Sequence, residues 1–332
     1  MTDESFIKLL YHRLLHRPPE TGAVEGWIEE IRSGVSVADI TAAFLACEEF
    51  QMHHPAQQLF MPPGHFYSPI VDREAVAHLF DHGASPQTVA GIHLVASEQV
   101  STWHSLLPYL GAVPFSDAPK DGFRYRFDNP AFGVCDASIY CAMLQLHRPR
   151  KLVEVGSGFS SACALDTIEH CLDQDVDVTL IEPNPALLNS LLKDADRQRT
   201  TVISQGVQDV DLAVFRALDD GDFLFIDSTH VLKTGSDVHC ELFEILPALK
   251  PGVIIHIHDI FWPFEYPRAW VVDENRSWNE LYALRAFLTD NNNFRIEFFN
   301  DYFTQNFRPT VARDCPSLLR NAGGSIWLRK IR

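Results

Sequence analysis

Two stretches, Asp227-Ser-Thr-His230 and His256-Ile-His-Asp259, place carboxylates and imidazoles at the ends of short apolar runs. Phe223–Ile226 and Val253–Ile257 read as strands. As neighbours in a parallel sheet they would bring Asp227 and Asp259 side by side, with His230 one short turn beyond. An imidazole that titrates near neutrality suits removal of a proton from a hydroxyl, and the carboxylates suit orienting the reacting groups. Asp227, His230 and Asp259 are therefore the candidate catalytic residues. The same chemistry suits an open divalent-cation site with Asp227, His258 and Asp259 as ligands, and the imidazole favours zinc, iron or manganese over magnesium. His256 alternates with Ile255 and Ile257, shares a strand face with His258, and reads as a hydrogen-bonded core histidine.

The elements that must position these groups begin at Lys151–Ser161, K-L-V-E-V-G-S-G-F-S-S. Leu152–Val155 supplies a buried strand, Gly156-Ser-Gly158 a tight turn, and Ser160–His170 a helix. This is the opening unit of a doubly wound α/β sheet, with a ligand at the strand's carboxyl end. A dinucleotide fingerprint needs a glycine where Ser161 stands, which argues against that ligand. Glu182 ends a second strand, Val178–Ile181, at the offset from the glycine turn where an acidic residue meets ribose hydroxyls. Thr200–Ser204, Phe294–Phe299 and Ser325–Arg329 read as further strands. Asp136–Leu146, Ala186–Lys193, Asp211–Leu218, Val238–Leu249 and Trp278–Leu288 read as helices. The alternation predicts a mostly parallel sheet covered on both faces.

Glu154-Val-Gly-Ser-Gly-Phe-Ser160, Ile181-Glu182-Pro183 and Phe225-Ile-Asp227 resemble successive motifs of class I methyltransferases that use S-adenosylmethionine. Residues 65–330 resemble a bacterial subgroup related to small-molecule and sugar O-methyltransferases. That resemblance is carried by His65-Phe-Tyr-Ser-Pro69, Asp128-Asn-Pro130, Asp227-Ser-Thr-His230, Lys233-x-Gly235-Ser-Asp237 and His256-Ile-His-Asp259. It continues through Pro263-Phe-Glu-Tyr-Pro267, Trp278-Asn-Glu280 and Gly323-Gly-Ser-Ile-Trp327. It implies a Rossmann-like, seven-stranded sheet with an antiparallel last strand, S-adenosylmethionine as cofactor, and methyl transfer to a hydroxyl with His230 as general base. By position, Glu154, Gly156, Ser157, Gly158 and Ser160 would surround the methionine part, and Glu182 would hold the ribose. Pro183 would lie against the adenine, Gln208 would read its edge, and Asp227 would border both cofactor and acceptor. Tyr67, Trp262, Phe264, Tyr266 and Trp278 read either as an aromatic lid over the acceptor or as structural packing.

The chain has 332 residues, which suits a main domain with a smaller companion. Residues 1–60 read as an all-helical domain, 61–130 as linker and cap, and 131–332 as the methyltransferase domain. In the first, Phe6, Leu9, Leu10 and Leu14, then Val24, Trp27, Ile28 and Ile31, then Ile40, Phe44 and Leu45 recur at helical spacing. Tyr11-x-Arg13-Leu14-x-x-Arg17-Pro18, Trp27 and Glu48-Glu49-Phe50 resemble a short helical domain of bacterial surface and glycan-associated proteins, which implies docking.

A net charge of −17 argues against nucleic acid and anionic membranes as partners. A small-molecule or glycan acceptor is expected, with a homo-oligomer or docking through the N-terminal helices. No signal peptide or membrane span is evident, and seven dispersed cysteines without a C-x-x-C pair suit a reducing cytoplasm. Two other functions compete with methyl transfer. One is different, hydroxylase-like chemistry on the same cofactor-binding fold. The other is a non-catalytic docking protein of a glycan assembly.

Overall fold

The computed structural model describes residues 2–53, 59–81 and 85–332. The chain divides into two compact units, Met1–Phe80 and Asp81–Arg332. In the first, helices Asp3–Leu14, Ala23–Arg32 and Val37–Ala46 close on Ile7, Leu10, Tyr11, Leu15, Val24, Ile40 and Phe44. Thr2 and Ser36 cap the first and third by accepting the amides of Ser5 and Asp39. The buried stripe of the first helix runs through Ile7 and Tyr11 and leaves Leu9 exposed, a rotation from the expected face.

The second unit is built on seven strands. They are β1 (Lys151–Val155), β2 (Asp177–Ile181), β3 (Thr200–Ile203), β4 (Phe223–Ile226), β5 (Ile254–His258), β6 (Phe294–Phe299) and β7 (Ser325–Lys330). Their order is β3-β2-β1-β4-β5-β7-β6, and β7 runs against both of its neighbours. This is the expected doubly wound, Rossmann-like sheet. β1, β4 and β5 are apolar because both faces are covered. Leu152, Phe225 and Trp327 point into one core with helices Val134–His147 and Phe159–Cys171, whereas Val153, Leu224 and Ile255 point into the other.

Helix Ala96–Leu110, within the expected cap segment, buries Trp103 and Leu106 in the first of these cores. Its Gln99 is fully buried. The Gln99 carboxamide donates to the Ile296 and Glu297 carbonyls and accepts the Phe299 amide at 3.0 Å, where the register of β6 slips. Arg124 carries the following segment onto the sheet domain through Asp166 at 2.6 Å, Asp196 and Glu169.

Register fixes the site. Val155 is level with Ile226, and Ile226 with Ile257, so Gly156, Asp227 and His258 emerge together at the carboxyl ends. The strand order reverses between β1 and β4, and a crevice opens there.

Candidate active site

At that reversal Gly156 adopts φ 77°, and a Cβ on it would lie 1.7 Å from the Asp227 carbonyl oxygen. Only glycine fits. The Gly156 amide donates to Ile181 and the Asp227 amide to Val155, so the turn and the end of β4 are locked together.

A cleft of about 450 Å³ opens beside them. Gly156, Glu182, Pro183, Gln208 and Asp227, five of the residues expected at the cofactor, line it together with Asn184, Asp209, Thr229 and Asp237. Its charged lining residues are Glu182, Asp209, Asp227 and Asp237, with no lysine or arginine among them. Glu182 accepts the amides of Ser157 at 3.2 Å and Asn184 at 2.8 Å.

Glu154 and Ser160, expected at the cofactor, lie beneath the turn instead of on the cleft wall. Glu154 is fully buried and accepts the hydroxyls of Ser160 and Ser161, each at 2.7 Å. Burial pushes its carboxyl up to about 8, against the pull of those two serines. Ser161 in turn accepts the Gly158 amide, so the carboxyl organises the turn from below. A larger cleft, about 700 Å³, lies at the amino ends of β2 and β3 around Arg124, far from these groups.

The candidate catalytic residues meet at the mouth. His230 Nε2 lies 3.3 Å from Asp227 Oδ1 and 3.4 Å from Asp259 Oδ2, and its Nδ1 lies 2.8 Å from Glu280 Oε2. In the sequence Glu280 stands out only within the run Trp278-Asn-Glu280. No spacing in the sequence couples positions 230 and 280; the chain brings them together through the segment that follows β5.

His230 and Asp259 both hold left-handed backbone angles, φ 60° and 53°. Such strain at a non-glycine residue costs about 1–3 kcal/mol and persists where surrounding contacts enforce it. Here they do. The His230 carbonyl accepts the amides of Asn279 and Glu280, and the Asn279 side chain clasps Leu232. Asp237 accepts Thr229, and Glu241 accepts Ser228.

Burial alone would lower the His230 imidazole, but hydrogen bonds to Asp227 and Glu280 prevail and hold it well above its usual range. Burial would raise Asp227, yet His258 and His230 keep it below the usual carboxylate range. Asp259 is pushed up to about 6 by burial, against His258 and His230.

The candidate cation ligands divide differently from expectation. Donor atoms of Asp227, His230 and Asp259 lie within 4.8 Å of one another. His258 is outside that set. Its Nε2 is 3.6 Å from Asp259, while its ring packs 5.3 Å from Phe132 and 5.7 Å from His256. The alternation of β5 turns residue 258 to the same face as His256, the one packed against helix Val134–His147. His256 is a core residue as expected, but it is held by stacking on Phe225 at 4.0 Å, and neither ring nitrogen has a hydrogen-bond partner.

The lid reading fails for Trp262, Phe264 and Tyr266, which are buried core residues. Trp278 alone of the sheet-domain aromatics proposed for the lid reaches the cluster, with its ring 4.5 Å from that of His230. Tyr67 is exposed in the other unit.

A family described as a methyltransferase domain matches residues 153–260. A second, a domain of unknown function, matches residues 1–54. An uncharacterised protein of Archaeoglobus fulgidus is 33% identical over 166 residues, which is 48% of this chain and 74% of that protein.

Solved structures with similarity include the Podospora anserina methyltransferase PaMTH1 bound to S-adenosylhomocysteine. It has a TM-score of 0.38 and 13% identity, over 78% of this chain and 94% of that one. The O-methyltransferase TomG of Streptomyces achromogenes, involved in tomaymycin synthesis and solved with S-adenosylmethionine, gives 0.38 and 13%, over 62% and 85%. An O-methyltransferase of Bacillus cereus with S-adenosylhomocysteine gives 0.36 and 15%, over 67% and 87%. Likenesses of this size carry no argument about activity. Residues 153–260 carry a methyltransferase domain, and the strand order is the one expected for class I S-adenosylmethionine-dependent methyltransferases.

Proposed function

We propose that the protein transfers the methyl group of S-adenosylmethionine to a hydroxyl of a neutral small molecule or glycan. The observation that carries this reading is the charge of the cleft. Glu182, Asp209, Asp227 and Asp237 face it without a cationic side chain among the lining residues. A sulfonium cation is attracted to such a cleft, and a phosphate-bearing nucleotide is repelled. Anionic acceptors are disfavoured for the same reason at the Asp227–Asp259 mouth.

In the reaction the acceptor oxygen forms a bond to the methyl carbon as the carbon–sulfur bond breaks. The electron pair passes to sulfur, which leaves as a neutral thioether. The hydroxyl proton goes to His230 Nε2, the imidazole nitrogen that faces the two aspartates. Alignment in line with the sulfur is the larger part of such catalysis, and the fixed turn at Gly156 and the fixed end of β4 provide it.

The three carboxylates that orient His230 also favour its protonated form, so its work as a base needs a competing positive charge or a rise in pH. A divalent cation fits the donors present. As the alternative to that base, Asp227, His230 and Asp259 would hold it, with Nε2 then a ligand and not a proton acceptor, and the bound cation would supply Lewis-acid activation of the hydroxyl. The imidazole in the set favours zinc, iron or manganese. The helical unit at residues 1–54 we assign to docking, following its resemblance to glycan-associated domains.

Calorimetry with S-adenosylhomocysteine is expected to show one site per chain, and no binding would overturn the proposal. With methyl-labelled cofactor and a panel of neutral polyols and glycosides, product gaining one methylene unit supports transfer. A gain of one oxygen supports the hydroxylase-like alternative.

A further inference from the structure

We infer that Glu280 is the positioning residue for His230, fixing which imidazole nitrogen faces the acceptor. The inference rests on the reading of His230 as the group beside the reacting hydroxyl. Glu280 holds that residue at both ends. Its backbone amide donates to the His230 carbonyl at 3.1 Å, and its carboxylate meets Nδ1 at 2.8 Å. His230 and Glu280 are only 5% and 2% exposed, so water does not compete for the bond. The Trp278 ring, 4.5 Å from the imidazole, hinders a flip that would exchange the nitrogens.

With Nδ1–H committed to Glu280, Nε2 is the nitrogen left to face Asp227 and Asp259. An imidazole with one nitrogen tied to a carboxylate presents the other in a fixed direction, whether that nitrogen takes a proton or meets a cation. Glu280 does not line the cofactor cleft. Its role is therefore separable from cofactor binding.

The test uses the full chain with 15N-labelled histidine, observed by proton NMR in water. A slowly exchanging imidazole Nδ1–H signal, shifted downfield by the charged acceptor, is expected and should vanish in His230→Gln. In Glu280→Gln the signal should persist but move upfield, because an amide oxygen still accepts the bond without the charge. In Glu280→Leu it should be lost to exchange. Affinity for S-adenosylhomocysteine should stay within about twofold in both Glu280 variants, which also shows that they fold.

A signal that survives Glu280→Leu, or an unchanged shift in Glu280→Gln, overturns the assignment. The second arm holds even if the leucine variant fails to fold. If the unsubstituted protein does not bind S-adenosylhomocysteine, the methyltransferase reading fails while the imidazole signal still reports on Glu280.

Discussion

Glu154 titrates in a direction opposite to a surface carboxylate. Its carboxyl stands at about 8 in the fold against an ordinary 4.5, so the folded chain keeps a proton that the unfolded chain releases. Stability therefore falls as pH rises between those values and levels off above about 8. A Glu154→Gln variant, whose amide oxygen can still accept Ser160 and Ser161, should lose this part of the slope and equal or exceed the parent at pH 8.5. Thermal unfolding from pH 5.5 to 8.5 reads the difference, and parallel curves would show that Glu154 is already charged. The sequence marks Glu154 as important because a polar residue ends an apolar strand. It does not reveal that the serines opening the next helix turn back beneath it, which depends on the helix's docking angle. Asp227, His230 and Asp259 were legible because strand ends gather at one edge of a parallel sheet. Glu280 was not, because its partner lies across a long irregular connection.

Among the elements, the segment 237–248 shows how local chemistry bends a regular expectation. Its pattern predicts one amphipathic helix, whereas the chain runs as a short α-turn, a π-helical stretch Glu241–Ile245 and a final turn. Pro247 cannot donate to the carbonyl four residues back, and the Leu246 amide reaches Glu241 instead. The wider turn directs Glu241 inward to accept the Ser228 hydroxyl at 3.0 Å. Burial, reinforced by Glu280 and Asp237, holds this carboxyl well above its usual range, which favours its neutral form. Glu241→Gln should thus change unfolding free energy by less than about 1 kcal/mol. Glu241→Ala empties a fully buried site and leaves the half-buried Ser228 hydroxyl without this acceptor, and should cost about 1–3 kcal/mol. Chemical denaturation measures both, and equal losses would show that the charge matters. The strands were the legible elements, since continuous apolar runs between turns leave little choice. The aromatic run Trp262–Tyr266 left two readings open because composition alone cannot tell a loop that covers a ligand from one folded into the core.

Across the molecule, one cation joins the segment before the sheet to the sheet itself. The Arg124 side chain is 4% exposed and meets Asp166 and Asp196, which are exposed only 0% and 7%. Removing it leaves buried carboxylates without a counter-charge, so Arg124→Leu should cost about 3–5 kcal/mol. The same variant should leave affinity for S-adenosylhomocysteine nearly unchanged wherever the protein remains folded, because Arg124 lies at the opposite end of the strands. Denaturant midpoints and calorimetry separate the two effects, and a loss of affinity in a folded variant would contradict this separation. The described residues contain no helix long and apolar enough to cross a membrane, and the overall −17 charge repeats at molecular scale the acidity of the cleft.

The contact between the Gly156 turn and the Asp227 carbonyl has a further consequence. With no room for even a methyl group between them, the proposed seat of the methyl donor and the first residue of the proposed reactive mouth form one inflexible gauge. Loop movement cannot alter their spacing. On the proposed function, a change of acceptor would therefore draw on the other walls of the mouth, the segments bearing Asp259 and Trp278.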